Sequence, residues 1–251
     1  MKKKIFYIFA HQDDEMGIFA QLRKDIVKND IFIFYLTSGT DKKISKNKKF
    51  KRDYESLKTL KSLGIKEKNI YFVGRKLEIK HNKLHLNTKK ALKYIELFIM
   101  KNFKPHLIYT HSWEGGHEDH DTCNLIVRSL RKKFQIKNCY QFSLYNAYNT
   151  SIIFFKVFNP IKIIGGKKVY AKLSDRILFI KLLFNYTSQF KIWLGLYPFI
   201  IIHYIFKGYN FIEKLNTTKE IKKPHQGKLL YEKRKFCKFS ILKKRNSFLL
   251  I

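Results

Sequence analysis

The chain has 251 residues, 45% of them apolar, which allows one large domain with a sizeable core and excludes a disordered chain. Lys and Arg number 52 against 19 Asp and Glu, a net charge of +33 that attracts phosphates, nucleotides, nucleic acid or acidic lipid without choosing among them. Three cysteines, Cys123, Cys139 and Cys237, are widely spaced and form no CxxC pair, which excludes a disulfide framework and a thiolate zinc knot and fits a reducing cytoplasm.

The amino terminus, MKKKIFYIFA, starts basic like a signal peptide. Its apolar stretch is short and runs into HQDDE with no small-residue cleavage site, so it reads as a first strand. Short apolar runs then alternate with longer amphipathic ones: a helix over 15–28, the strand IFIFYLTSG, a helix over 51–63, NIYFVG, a helix over 88–102, HLIYTHS, a helix over 120–133, and NCYQFSLY. Such alternation predicts an α/β fold, a Rossmann-like sandwich whose mostly parallel sheet is flanked by helices. Ligands bind beyond the carboxyl ends of strands in these sheets. The segments to inspect are therefore AHQDDE, TSGT, VGR and HSWEGGHEDH, which follow the first four strands.

The stretch DKKISKNKKFKR (41–52) reads as a solvated basic loop near the site mouth. From about residue 150 the pattern becomes strand-like in SIIFFKVF and KVYAKLS, then helical in SDRILFIKLLFNYTSQF, predicting a C-terminal β/helical appendage. The run IWLGLYPFIIIHYIF (192–206) is uncharged, and its fifteen residues fall short of the roughly 20 that span a bilayer. It contains Gly195, Pro198 and His203 and reads either as a buried helix hairpin or as an interfacial membrane element. The terminal FSILKKRNSFLLI is a final strand or a loose basic tail. The domain division is a core over 1–190 and a helical, basic extension over 191–251 packed on it.

The stretch FAHQDDEMG (9–17) sets a histidine and three acids within five positions at the end of the first strand. His11 and Asp14 occupy that turn, and His120 occupies the corresponding turn after the fourth strand. Two imidazoles and a carboxylate, with a position left for water, make the ligand set of a catalytic zinc site. Asp13, beside a ligand but able to point elsewhere, is then free to act as general base. A dication also offsets the repulsion and burial cost of the acids. Each motif alone has a plainer reading, acids at a helix N-terminus or a polar loop, whereas the pair at strand ends of one sheet points to a site. His81, His85, His106, His203 and His225 have no ligand-like partner at short spacing and read as surface or core histidines. Cys123 reads as packed, and Tyr231 and Glu232 are placed to fold back over the site without a role that spacing assigns.

AHQDDE resembles the AHPDDE signature, and GGHEDH the GHPDH signature, of the PIG-L/LmbE-type zinc-dependent N-deacetylases. LTSG (36–39), RDYESLKTLKSLGI (52–65) and KLLFNYTSQ (181–189) are similar to further segments of that family, so the resemblance runs from the first strand to about residue 190. It implies His11, Asp14 and His120 as ligands of Zn2+ or another divalent metal, and Asp13 as general base. His117 would stabilise the oxyanion or protonate the leaving amine. Asp119 and Glu15 would orient the ligands from behind, while Arg52 and Ser38 would contact substrate. The implied activity is a metal-dependent hydrolase that removes the N-acetyl group from an N-acetylglucosamine-type conjugate. The charge and the 192–206 run turn this expectation toward an anionic or lipid-linked carrier in cell-envelope glycan or glycolipid biosynthesis, in a cytoplasmic protein at the inner face of the membrane. Two departures stand out: Gln12 replaces the signature's proline, and Gly115 stands where some sugar deacetylases carry a tyrosine. They favour a rival reading as a non-catalytic carbohydrate-binding relic. A basic nucleic-acid-binding protein would account for the charge, but no basic pattern interleaved with aromatics supports it.

Overall fold

Parallel pairing between strands far apart in the chain organises the computed structural model, which describes residues 2–40, 46–150, 156–161, 165–189, 194–215 and 220–250. Strands β1 (Lys3–Phe9), β2 (Asn29–Tyr35), β3 (Ile70–Phe72), β4 (Leu107–His111) and β5 (Asn138–Phe142) lie in the order β3-β2-β1-β4-β5, all parallel. The register sets Ile5 of β1 between Ile31 of β2 and Leu107 of β4. Strands β6 (Tyr145–Asn146) and β7 (Lys156–Val157) form a small separate pair. β8 (Lys167–Tyr170) and β9 (Tyr209–Lys214) extend the main sheet, with β9 antiparallel to both β5 and β8.

A parallel sheet must be covered on both faces, and the strand sequences supply apolar residues to both. Ile5, Tyr7 and Phe9 enter one core, and Phe6, Ile8 and Ala10 enter the other. The first core is closed by α1 (Phe19–Asp25), α2 (Lys46–Ser62), α6 (Leu173–Leu183) and α7 (Tyr197–Phe206), through Phe19, Leu60, Leu182 and Tyr204 among others. The second is closed by α4 (Thr88–Lys101) and α5 (Glu118–Phe134), which follow the single-turn α3 (Val73–Lys76), through Ile95, Ile99, Ile126 and Leu130. Each fully buried side chain of this kind contributes roughly 1.5–3 kcal/mol relative to exposure. The order reverses between β1 and β4, and their carboxyl ends therefore open a crevice.

Several elements differ from expectation. The helix expected over 15–28 begins as a 3-10 turn at Asp14–Ile18 and is α-helical only over Phe19–Asp25. Residues 46–52 of the supposed basic loop are the first turns of α2, because lysine is a good helix former; residues 41–45 lie outside the described residues. Of SIIFFKVF, residues 151–155 lie outside them as well. The 192–206 run is described from residue 194: Leu194 and Gly195 are helical, Leu196 is a turn, and α7 follows from Tyr197 with Pro198 in its first turn, where its missing N–H costs nothing.

YNFIEK, which had no strand assigned to it, forms β9, so the 191–251 segment supplies an interior strand of the sheet. Asn210 there is fully buried, and its side-chain oxygen accepts the Ala20 N–H at 2.7 Å. The terminal segment is neither strand nor loose tail but helix α9 (Phe239–Asn246), after the short α8 (Leu230–Lys233), because Leu242 and Leu249 drop into the second core. Among the described residues no helix is long and apolar enough to cross a membrane.

Buried Glu114 fastens the crevice wall. Its carboxylate accepts from Leu144 N–H at 2.9 Å, Tyr145 N–H at 3.2 Å, the Ser143 hydroxyl at 2.6 Å and the Asn146 amide at 3.2 Å. Burial pushes this carboxyl up to about 8 against the pull of those donors. Glu114→Ala strands four donors, and the expected loss is about 3 kcal/mol or more, read from the urea midpoint of unfolding. An unchanged midpoint would mean that water replaces the carboxylate without cost.

Candidate active site

The crevice is built from two turns. β1 delivers His11 to the sheet edge, and the chain then reverses at Asp13 with φ 110°, a left-handed conformation that a non-glycine residue holds only when its surroundings compel it. β4 leads into the HSWEGG loop and α5. His117 caps α5 by accepting the Asp119 N–H on Nδ1 at 3.1 Å. Gly116 lies so near β6 that a Cβ there would be 2.1 Å from the Tyr145 carbonyl oxygen.

His11, Asp14 and His120 converge. His120 Nε2 is 3.1 Å from Asp14 Oδ1 and 3.3 Å from His11 Nδ1, and His11 Nδ1 is 3.6 Å from Asp14 Oδ2. A tetrahedral ion with bonds of roughly 2.1 Å separates its ligand atoms by about 3.4 Å, so this donor set fits such a metal. Asp119 supplies the backing that a ligand imidazole needs. Its carboxylate accepts the N–H groups of Asn82 at 2.7 Å and Leu84 at 2.9 Å and lies 3.0 Å from His11 Nε2. That contact places the His11 proton on Nε2 and leaves the Nδ1 lone pair facing Asp14 and His120. Burial opposes a charge on His11, yet the Asp14 and Asp119 carboxylates raise its pKa to about 10. Burial likewise favours a neutral Asp14, but the imidazoles of His120, His111 and His11 hold it well below the usual carboxylate range. The acid cluster calls for positive charge.

Asp13 and His117 flank this triad with polar atoms left over. Asp13 Oδ1 meets Arg52 at 3.2 Å, while Asp13 Oδ2 is buried with no hydrogen-bond partner among the described residues. Burial and then Asp14, against the pull of Arg52, raise Asp13 to about 7. His117 accepts on Nδ1, so its proton sits on Nε2, which is likewise buried and without a partner among the described residues. Burial, reinforced by the nearby imidazoles, keeps this ring neutral. Glu15 accepts the Asp13 N–H at 3.0 Å and the Tyr186 hydroxyl and so braces the strained turn.

Arg52, expected at the substrate, is buried and engaged by protein: it donates to the Gly39 and Gln12 carbonyls as well as to Asp13. With the Gln189 amide oxygen turned toward it, Arg52 Nε also donates to Gln189 at 2.8 Å. One turn along α2, Glu55 accepts from Ser188 N–H at 2.8 Å and from the Ser188 hydroxyl. The two motif segments RDYE and TSQ thus clasp each other behind Asp13. Ser38 is buried, its N–H on the Ile79 carbonyl at 2.7 Å. Gln12 ties the turn to α2 through Asp53 at 2.6 Å, a bond that the signature's proline could not make.

Two histidines join the site that motif spacing did not indicate. His111 ends β4 and stacks on His120 at 3.9 Å between ring centroids, with Nε2 3.0 Å from Asp14. A histidine at the carboxyl end of a strand at the switch point was the available signal. His81 lies 4.4 Å from the His11 ring and 5.1 Å from the His117 ring. Ligand atoms of His11, His81, His117 and Asp119 all lie within 4.8 Å of one another, as do those of His11, Asp14 and His120. No local pattern marks His81, which reaches the site only because Asp119 holds its loop. His106, His203 and His225 bond to backbone groups instead.

A cleft of about 340 Å3 opens beside His81, lined by Lys80, Asn82, Lys83, Lys235 and Phe236. The C-terminal segment forms its far wall, and Leu230 N–H donates to the Gly115 carbonyl at 2.9 Å. Tyr231 is buried in this wall, and Glu232 accepts the N–H groups of Leu229 and Phe239, each at 3.0 Å. Gly115 has φ +70°, and a Cβ there would meet Leu229 at 2.7 Å. Gly115→Ala is expected to cost about 1–2 kcal/mol from the left-handed backbone, more if Leu229 cannot move, as a thermal melt would register. A melting temperature equal to wild type would show that the loop relaxes freely.

Residues 6–130 match the PIG-L family model, GlcNAc-PI de-N-acetylase. No curated protein matches the chain. Among solved structures, a triple mutant of the deacetylase of the teicoplanin biosynthetic pathway has a TM-score of 0.63 at 13% identity, over 86% of this chain and 100% of that one. The zinc inhibited form of teicoplanin deacetylase Orf2 has a TM-score of 0.62 at 11% identity, with the same coverage of 86% and 100%. The A40926 pseudoaglycone deacetylase Dbv21 has a TM-score of 0.58 at 14% identity, over 87% and 100%. Identities this low speak for the fold. Through residues 6–130 the chain belongs to the PIG-L family, and its mostly parallel sheet flanked by helices is the fold of these deacetylases.

Proposed function

We propose that this protein is a metal-dependent N-deacetylase that hydrolyses the acetamide of an N-acetylglucosamine-type conjugate, with Zn2+ as the metal. One observation carries the reading: donor atoms of His11, Asp14 and His120 spaced for one ion, flanked by a carboxylate oxygen of Asp13 and an N–H of His117 that have no partner among the described residues. A divalent cation at these three donors would polarise the acetamide carbonyl and acidify a water. The protein's own groups perform the rest. Asp13 Oδ2 takes the proton of the attacking water, with Arg52 holding the carboxylate in place. His117 Nε2–H donates a hydrogen bond to the oxygen of the tetrahedral adduct, and as a neutral imidazole it keeps that proton rather than transferring it. The proton on Asp13 passes to the departing nitrogen as the C–N bond breaks, yielding free amine and acetate. The lysine-lined cleft beside His81 supports an anionic carrier for the sugar, as in cell-envelope glycan or glycolipid synthesis.

The test is acetate release from a panel of N-acetylglucosamine conjugates, including nucleotide- and lipid-linked forms, by metal-reconstituted protein. Release from an anionic conjugate in preference to the neutral sugar is the expected result. Folded, metal-loaded protein that releases no acetate from any of them would overturn the reading.

A further inference from the structure

Helices α6 and α7 pack against each other and bury one stripe each, Phe179, Leu182 and Leu183 on α6 and Tyr197, Ile200 and Tyr204 on α7. Their outer stripes are apolar too. Leu173, Ile177 and Phe184 recur along α6 and its end, and Ile202, Ile205 and Phe206 along α7, with Leu194 just before it; each is at least 50% exposed. α7, without a charged residue, is apolar nearly all round, as suits a core or lipid, whereas α6 sets its apolar stripe beside Ser174, Asp175, Arg176 and Lys181; part of each helix faces water. No described helix can cross a bilayer, so this face lies on a surface rather than within a membrane span.

Charge identifies the occupant. α7 carries no charged residue, and the one acid of α6, Asp175, is paired with Arg23 at 3.3 Å. Lys172, Lys181 and Lys207 are exposed at the margins of the same two helices. A second copy of a chain with net charge +33 would be repelled, whereas an anionic lipid surface attracts it. We propose that the α6–α7 face docks on an anionic bilayer, with its apolar side chains in the headgroup boundary and its lysines among the lipid phosphates. The inner side of the same region holds the catalytic turn: Tyr204 donates to the Met16 carbonyl at 2.7 Å, and Tyr186 to Glu15. Docking would thus bring the site to lipid-linked sugar, a consequence that rests on the deacetylase reading, while the docking itself does not.

The experiment is flotation of the full chain with phosphatidylglycerol-containing vesicles and with pure phosphatidylcholine vesicles at about 0.15 M salt. Two double variants, I202S/F206S and L173S/I177S, alter exposed side chains only, and unchanged thermal melts confirm their folding. Wild type is expected to float with the anionic vesicles alone, and each double variant to bind about tenfold more weakly or worse, the scale of removing two large apolar groups from a headgroup boundary. Wild type that stays unbound overturns the proposal. Variants that bind like wild type overturn it as well, since diffuse charge would then suffice. So does a wild-type dimer that the variants dissolve, which would give the face to a second copy. Acetate release from a water-soluble conjugate is unchanged in the variants, so failure of docking and failure of the deacetylase reading are told apart.

Discussion

Asp13→Asn is expected to lower turnover by about 10²–10⁴-fold while metal content and melting temperature stay near wild type. The amide keeps the size of the carboxylate, and its oxygen still accepts from Arg52, whose other bonds to Gly39 and Gln12 are untouched. The bond that braces the φ 110° turn runs from the Asp13 backbone N–H to the Glu15 carboxylate, so it does not use the Asp13 side chain and also survives. What disappears is the unpaired basic oxygen. The measurement is kcat by acetate release beside metal content by elemental analysis. Near-normal turnover would remove Asp13 from the base role and pass it to another group. Loss of metal together with activity would make Asp13 a ligand instead.

Asp119→Asn is expected to weaken metal binding by about 10–100-fold, the range found when the partner of a ligand imidazole is changed. The carboxylate now accepts from His11 Nε2 and from the Asn82 N–H on the same oxygen. An amide NH2 at that place faces two donors, and if the amide turns over, the conflict moves to the Leu84 N–H. His11 is relieved by shifting its proton to Nδ1, the nitrogen that faces Asp14 and His120. Competition with a chromophoric chelator reads the dissociation constant, and His225→Ala, remote from the site, should leave it unchanged. Equal affinities for Asp119→Asn and wild type would mean that the tautomer of His11 is not set by Asp119.

How far the chain could be read without its coordinates follows from the range of each signal. Alternation of apolar runs is a property of some ten residues at a time, and it was enough to predict the parallel sheet and its flanking helices, because strands buried on both faces must be apolar throughout. The acid cluster at 13–15 was legible for the same reason. Three acids at the end of a strand carry a local electrostatic cost that only a cation or a helix terminus offsets, and the histidine motif after the fourth strand suggested which. β9 escaped because YNFIEK buries a polar residue, Asn210, at its centre, and the value of that burial depends on Ala20, which lies 190 residues away.

The finer arrangement of the site belongs to tertiary structure. The family resemblance implies Arg52 as a group for substrate, and only the approach of α2 to the β1 turn makes it the clamp on Asp13. His81 lies in no motif and His111 only opens the HSWEGGHEDH segment without a role assigned to it, and packing brings their rings to His11 and His120. Leu229 fills the space above Gly115 from a segment more than a hundred residues away. The sequence by itself determined which residues are able to bear charge, hold a metal or bury apolar surface, since those are properties of side chains and local periodicity. Which of them meet was decided by the fold, because distance and desolvation come into being only when segments remote in the chain are packed together.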